Sequence, residues 1–372
     1  MVNILIDCHV FDQSLQGTTT YIKGIYLELI KDKKKNFYFV SHHYPLEKLF
    51  GTQENVHYLK YKSKNKFYRL LIELPSLIRK HKIDFAHFQY VVPPIKKCKY
   101  IVSLHDVLFL DYPQYFPFLY KLSKKFLYKW SAKNSDIVLT VSEFSKQRIQ
   151  YHFDIENIYI TPNAVEETFF QPYNKNEIQN QVFKKFGIEN YFLFVSRWEP
   201  RKNHHLLLKV FVEKEYFKKY SLVFVGDEAI ENIEYNNYFN SLAIEIKNKI
   251  FKLKKIDFDD LININRAAVL SVYPSIAEGF GIPPLESVAC EVPTVCSNST
   301  AMADFDFISD CLFNPLSTED LNDKIKFVLS LSNDLSAKKE KLSKKYNWNF
   351  SAQQLNRAIQ EFREKNNYFS KK

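Results

Sequence analysis

The order of apolar runs along the chain predicts an α/β protein made of two Rossmann-like halves with parallel sheets. Runs short enough for strands alternate with helix-length periodic segments from start to end, the pattern of parallel strands joined by right-handed crossovers. At 372 residues the chain exceeds what one ordinary core organises. No internal repeat or low-complexity tract points to another organisation.

In the first half the strand-like runs are Val2–Ile6, Phe37–Val40, Phe85–Gln89, Tyr100–Leu104 and Ile137–Val141. In the second they are Tyr191–Val195, Ser221–Val225, Ala268–Tyr273 and Thr294–Ser297. Helical periodicity falls between them, at Thr20–Lys31, Phe67–His81, Phe118–Ser131, Phe144–Tyr151 and His204–Phe211. The boundary is expected within Asn163–Ile188, after the strand-like Ile158–Thr161 and across the polar, turn-rich Gln171–Glu177. This gives an N-terminal domain over 1–165, a C-terminal domain over 166–348, and a tail over 349–372. The tail, with a helix over Trp348–Phe362 capped by Asn349 or Ser351, is expected to pack back on the first domain. Open α/β sheets bind ligands at the C-terminal ends of their strands, and a cleft between two such domains suits a two-substrate reaction.

The composition, 46% hydrophobic and 25% charged, is that of a soluble globular protein. No apolar stretch approaches the roughly 20 residues of a membrane span. The start, Met1–Val10, lacks a basic segment before its apolar run and reads as a strand, not a signal peptide. Five cysteines, odd in number and without a C-x-x-C pair, argue against a disulfide framework and for the cytoplasm. The net charge is +10, and residues 1–170 hold 24 Lys and Arg against 16 Asp and Glu. That excess favours anionic partners, namely phosphates, lipid headgroups or nucleic acid, although a lysine-rich composition throughout accounts for the same charge.

Glycine is scarce, seven in all, yet Gly279 and Gly281 stand together in Ser271–Ser287, S-V-Y-P-S-I-A-E-G-F-G-I-P-P-L-E-S. A strand there runs into a glycine loop, and a helix is expected to open near Pro283 or Pro284. Loop amides and a helix N-terminus form a site for a phosphate- or hydroxyl-rich molecule. Glu278 and Glu286 bracket it, and carboxylates accept hydrogen bonds well from vicinal hydroxyls. A second constellation, Val195–Leu208, puts Arg197 and Lys202 between a strand and a helix. Two fixed cations at that edge would neutralise a leaving diphosphate without a metal. In the first half, Ile101–Asp106 ends a strand in His105 and Asp106.

Ser271–Ser287 resembles the E-x7-E signature of the retaining family-four (group 1) glycosyltransferases of GT-B fold, of bacterial surface-polysaccharide type. Arg197-x4-Lys202, the His105 strand end, Val138–Lys146 and Tyr159–Val165 are similar to further elements of that family. The resemblance implies that Glu286 binds the donor ribose and that Glu278 lies near the transferred sugar. It further implies that Gly279, Phe280, Gly281 and Ile282 offer amides to sugar hydroxyls, that Arg197 and Lys202 grip the diphosphate, and that His105 lines the reaction centre. The implied fold is α/β GT-B, two Rossmann-like domains with parallel sheets facing a central cleft. The implied activity is metal-independent hexosyl transfer, without cofactor, from a UDP-, GDP- or dTDP-linked sugar to a glycan or lipid-linked acceptor.

Departures from the family pattern are visible. The first loop, Gln16-Gly17-Thr18-Thr19, leaves only Gly17 for close phosphate approach. Lys254 stands where a glycine is common, only one glycine, Gly226, precedes Asp227, and Glu291 replaces the glycine after the E-x7-E helix. The triplets Asp257-Phe258-Asp259 and Asp304-Phe305-Asp306 are read as capping or chance, not as metal sites. Pro117–Asn134, with five lysines among aromatics, and Lys60–Arg69 would suit an anionic membrane surface at the inner face of the cytoplasmic membrane, or alternatively a core-facing helix with a basic outer side. The competing functions are a GT-B sugar-nucleotide epimerase, a dinucleotide oxidoreductase and a basic nucleic-acid-binding protein. The oxidoreductase lacks any G-x-G-x-x-G, and the nucleic-acid reading lacks a reader motif.

Overall fold

In the computed structural model, which describes residues 1–12, 17–330 and 335–369, every sheet pairing is parallel. The chain divides into one unit of Met1–Ala164 with Tyr346–Lys372 and another of Val165–Lys345. The first unit holds strands β1 (Val2–Asp7), β2 (Lys35–Ser41), β3 (Val56–Lys60), β4 (Phe85–Gln89), β5 (Lys99–Ser103), β6 (Ile137–Thr140) and β7 (Ile158–Ile160), in the order β3-β2-β1-β4-β5-β6-β7. The second holds β8 (Tyr191–Val195), β9 (Ser221–Val225), β10 (Ile250–Leu253), β11 (Leu270–Tyr273), β12 (Thr294–Ser297) and β13 (Leu312–Phe313), in the order β10-β9-β8-β11-β12-β13. Both orders reverse beside the first strand of the unit, between β1 and β4 and between β8 and β11. Ligands of doubly wound sheets bind at such switch points.

The α/β expectation holds, and the strands it missed are all sheet edges. β3 (V-H-Y-L-K) and β10 (I-F-K-L) are mostly half-buried, so polar residues interrupt the apolar signal, and β13 is two residues long. The central strand β9 is buried along its whole length and legible as the apolar run Leu222–Val225, and β4 is equally buried although His87 and Gln89 interrupt its apolar residues. The polar stretch expected as turn up to Glu177 becomes helix from Lys175, because the Asn174 carboxamide accepts from the N–H groups of Asn176 and Glu177.

The tail is a helix over Trp348–Phe369. Its cap is Asn347, whose Oδ1 accepts from the Phe350 N–H at 2.8 Å, and not Asn349 or Ser351. Ser351 is instead buried, with its hydroxyl donating to the Pro162 carbonyl at 2.5 Å. This helix packs on the one at Gly17–Leu29, and the contact is tightest where Trp348 covers Gly24. A Cβ added at Gly24 would lie 2.1 Å from the Trp348 ring, inside any permissible contact.

Gly24→Ala is therefore expected to lose about 3 kcal/mol in urea denaturation, the upper part of the range for overpacking. Trp348→Ala should cost a similar amount through its cavity, and the double variant less than the two losses added. An unchanged midpoint for Gly24→Ala would contradict the contact.

Candidate functional site

Because β8 and β11 are neighbours and parallel, the loops leaving their C-terminal ends meet at the switch point of the second sheet. The loop after β8 carries Arg197 to Asn203, and the loop after β11 carries Pro274 to Gly281. Their backbones are joined directly, with the Ile276 N–H donating to the Arg201 carbonyl at 2.8 Å and the Arg201 Nη1 donating to the Ala277 carbonyl at 2.7 Å. Gly226, just after β9, lets the other side of the β8 loop lie close to the end of that strand. It sits at φ 146°, and a Cβ there would fall 2.1 Å from the Ser196 carbonyl oxygen.

Five side chains of alternating charge run through this junction. Arg197 lies 3.7 Å from Glu199, Glu199 2.7 Å from Arg201, and Arg201 3.2 Å from Glu278, which in turn is clasped by Lys202. Arg197 is the solvent end, with 55% of its side chain exposed, whereas the other four keep no more than 15%. Glu278 also accepts from the Ser275 hydroxyl at 3.0 Å, and its own N–H donates to Thr300 Oγ1 at 2.9 Å. Burial alone would raise the Glu278 carboxyl, but Lys202 and Arg201 outweigh it and hold it at about 2. Burial pulls the Lys202 ammonium below its ordinary value against the attraction of Glu278, with Arg201 adding to the fall. Sequence reading found Arg197, Lys202 and Glu278 and missed Arg201. Its signal was present in the Arg-Lys dipeptide, but spacing alone did not say which of two arginines turns inward.

The helix after the glycine loop spans Ile282–Ala289 and so begins before both prolines. Pro283 and Pro284 take its second and third positions, where they bring no N–H. The expected array of helix amides is thereby corrected to the Ile282 N–H and those of the preceding loop. Gly281, the residue before the helix, sits at φ 100°, and Phe280 turns its ring into the core against Phe305 at 6.0 Å. The early start also puts Glu286 in the second turn rather than the first, beyond the positions where a carboxylate complements the helix dipole. Glu286 is partly buried, and desolvation together with the nearby Glu166 raises its carboxyl to about 8. Glu291 occupies a left-handed position at φ 54°, a conformation that favours the glycine it replaces.

In the first unit His105 follows β5 and is buried. Its Nε2 lies 2.7 Å from Gln89 Oε1, and its ring meets Tyr21 edge-on at 4.8 Å. Gln89, unnoticed in the sequence, ends β4 and also touches His87 Nε2 at 3.4 Å. His87 is bonded on both nitrogens, to Tyr26 and Ser103, each at 2.7 Å. Burial lowers His105 to about 4, so its imidazole is neutral near pH 7. Asp106 accepts from the Leu108 N–H at 3.2 Å. Gly17 is the exposed first residue of its helix, while Gln16 lies outside the described residues. Asp257 caps the Phe258–Ala267 helix through the Asp260 N–H at 2.9 Å.

A raised carboxyl binds its proton more tightly in the folded than in the unfolded chain, so its contribution to stability falls as pH rises. The difference in unfolding free energy between the wild type and Glu286→Gln should therefore decline from about pH 4.5 to 8. The limiting slope is about 1.4 kcal/mol per pH unit. Denaturant titrations at several pH values check this, and a pH-independent difference would remove the raised carboxyl.

Residues 17–169 match the model of Glycosyltransferase Family 4, and residues 175–346 match that of Glycosyl transferases group 1. The O-antigen chain mannosyltransferase RfbU of Salmonella typhimurium is 32% identical over 201 residues, covering 53% of this chain and 51% of that protein. The O-antigen chain mannosyltransferase B of Escherichia coli is 27% identical over 238 residues, covering 60% of each chain. These alignments thus span about half to three-fifths of the relatives' own lengths. A crystal structure of a glycosyltransferase from Rickettsia africae superposes with a TM-score of 0.71 at 18% identity, covering 97% of this chain and 98% of that one. With both units matched in sequence and the architecture matched in structure, the chain belongs to the group 1 glycosyltransferases of GT-B fold.

Proposed function

We propose that this protein is a retaining, metal-independent hexosyltransferase that moves a sugar from a nucleotide-linked donor to a glycan or lipid-linked acceptor. The acceptor would belong to a surface polysaccharide such as O-antigen, and the names of the sequence relatives favour mannose as the sugar. The observation that carries the reading is the charged ladder at the second sheet's switch point, closed by the Lys202–Glu278 pair beside the glycine loop.

In this reading the solvent end of the ladder, Arg197, meets the diphosphate first, and Lys202 exchanges part of its contact with Glu278 for a phosphate oxygen. Two fixed cations then stabilise the charge that develops on the leaving nucleoside diphosphate, the task a metal ion performs elsewhere. Glu278, held ionised, accepts from a sugar hydroxyl, and Glu286 binds the ribose hydroxyls. The amides of Gly279, Phe280, Gly281 and Ile282 donate to the sugar, and the Gly17 backbone is assigned to phosphate. His105, neutral, offers one nitrogen to the sugar or to the arriving hydroxyl. The acceptor attacks on the face from which the diphosphate departs, so no protein nucleophile is required. The work would be done in the cytoplasm, at the inner face of the membrane.

Glu286→Ala and Lys202→Ala should each cut transfer at least about 100-fold, the scale of losing one preorganised hydrogen-bonding or charged contact. Lys202→Ala should stay folded because Arg201 and Ser275 still hold Glu278, and Glu286→Ala because the side chain removed is only partly buried. Thermal-shift measurements with UDP-, GDP-, dTDP- and CMP-sugars should give a selective rise with one nucleotide. A ligand at about 100 times its Kd adds roughly 2.7 kcal/mol. Full activity in either variant would remove its assigned role, and no shift with any donor would overturn the transferase reading.

A further inference from the structure

The first unit carries an apolar surface that its own fold leaves uncovered. On the helix Phe118–Asn134, the side chains of Phe118, Leu119, Leu122 and Phe126 remain 61–77% exposed. Positions 118, 122 and 126 are four apart and form one stripe, and Lys125 and Lys129 fall on the same side by helical spacing. The opposite side of the helix is the anchored one, where Tyr128, Ser131 and Ala132 are buried. A second segment adds to this surface. Phe67 is 73% exposed, and Leu71 and Ile72 are exposed beside it, on a helical turn that passes into a π-helical one at Arg69–Glu73. The two segments share a core, since Leu70 and Leu74 of one and Tyr128 of the other lie in the same buried cluster. Lys66 stands near enough to Lys124 to help depress its ammonium after burial has done so.

Charge decides what covers such a face. Between Glu54 and Glu73 the chain has five cations, Lys60, Lys62, Lys64, Lys66 and Arg69, and no acid. Between Asp111 and Asp136 it has five more, Lys121, Lys124, Lys125, Lys129 and Lys133, and again no acid. A second copy of the chain would set these cations against each other. An anionic bilayer meets both requirements, taking the phenylalanine and leucine side chains into its interface while its headgroups neutralise the lysines. Among the described residues no helix is long and apolar enough to cross a membrane, so any such contact lies in the interface plane.

We infer that the exposed faces of the Phe118–Asn134 helix and the Lys66–Glu73 segment form one docking surface for an anionic lipid bilayer. This deepens the proposed function by naming the surface that brings the enzyme to a lipid-linked acceptor, but it rests on exposure and charge alone and is independent of donor chemistry. The full chain is mixed with vesicles of phosphatidylcholine alone or with phosphatidylglycerol added, and the bound fraction is read by co-sedimentation. Binding is expected at least about tenfold tighter to the anionic vesicles and weaker as salt rises. The combined variant Phe118→Ser, Leu119→Ser, Leu122→Ser, Phe126→Ser should lose at least about tenfold in affinity for them. Because all four side chains face solvent, its thermal midpoint and its response to nucleotide-sugars should be unchanged. Equal binding by wild type and variant overturns the proposal, as does failure of the wild type to bind anionic vesicles. So does a change from dimer to monomer in the variant by sedimentation velocity with no change in vesicle binding, which would assign the face to a second copy. Vesicle binding without any donor response would leave this surface standing and remove the transferase reading.

Discussion

The Glu278 carboxylate sits where two loops from neighbouring parallel strands must be held together, and its contacts do the holding. It meets Lys202 and Arg201 from the loop after β8 and Ser275 from its own loop, while the backbone N–H of the same residue donates to Thr300 Oγ1. Taking these charges out of water is costly, and the cost is offset only because each finds a partner of opposite sign in hydrogen-bonding geometry. A lone carboxylate at this depth would be protonated instead, as the contrasting behaviour of Glu286 eight residues later shows. At Glu286 desolvation is reinforced by Glu166, so its carboxyl moves up while that of Glu278, beside Lys202 and Arg201, moves down. One sequence signature thus contains two acids in opposite states, separated by a glycine loop and one helical turn.

How much of this was legible depended on whether the determining contact was local. Buried central strands are dominated by apolar residues, and β4, β8, β9 and β12 fall where the sequence predicts strands. Edge strands gain half of their burial from one side only, so β3 and β10 carry Lys and His within the run and escape the pattern. The same holds in the site. Glu278, Glu286, Arg197 and Lys202 were found because the signature fixes their spacing. Arg201 and Gln89 were not, because their importance comes from a partner 77 residues away in one case and 16 in the other. The helix start was misplaced by one residue, since proline tolerates the whole first turn and not its first position alone.

Glycine usage separates two reasons for the residue that are often merged. Nine non-glycine residues with positive φ occur among the described residues, including Asn203 at 61° and Glu291 at 54° within or beside the site. Each accepts a strain of about 1 kcal/mol that glycine would relieve. Yet glycine is kept at Gly24, in ordinary helix, where a Cβ would strike Trp348, and at Gly226, where it would strike the Ser196 carbonyl. At Gly24 space alone requires glycine, and at Gly226 the overlap adds to a φ of 146° that already favours it. Conformational strain can be spread over neighbouring torsions, whereas a 2.1 Å overlap with a packed ring or a loop backbone cannot.

The two units build their polar centres on opposite principles, and the difference follows from what each can stabilise. The second unit's centre is ionic, with five alternating charges reaching from solvent inward. The first unit's centre is neutral, with the chain from Tyr26 through His87, Ser103 and Tyr21 to Thr161 linked by hydrogen bonds of 2.6 to 3.1 Å, and Gln89 and His105 beside it. Burial keeps both histidines uncharged, His87 at about 3 and His105 at about 4. A neutral network of this kind fixes the orientation of His105 through hydrogen bonds between uncharged side chains. The ring can then exchange hydrogen bonds with hydroxyl groups, for which a permanent cation would be the wrong partner. In the proposed reading, negative charge meets paired cations and a pre-paired carboxylate in the second unit, and hydroxyl groups meet neutral groups held in place in the first.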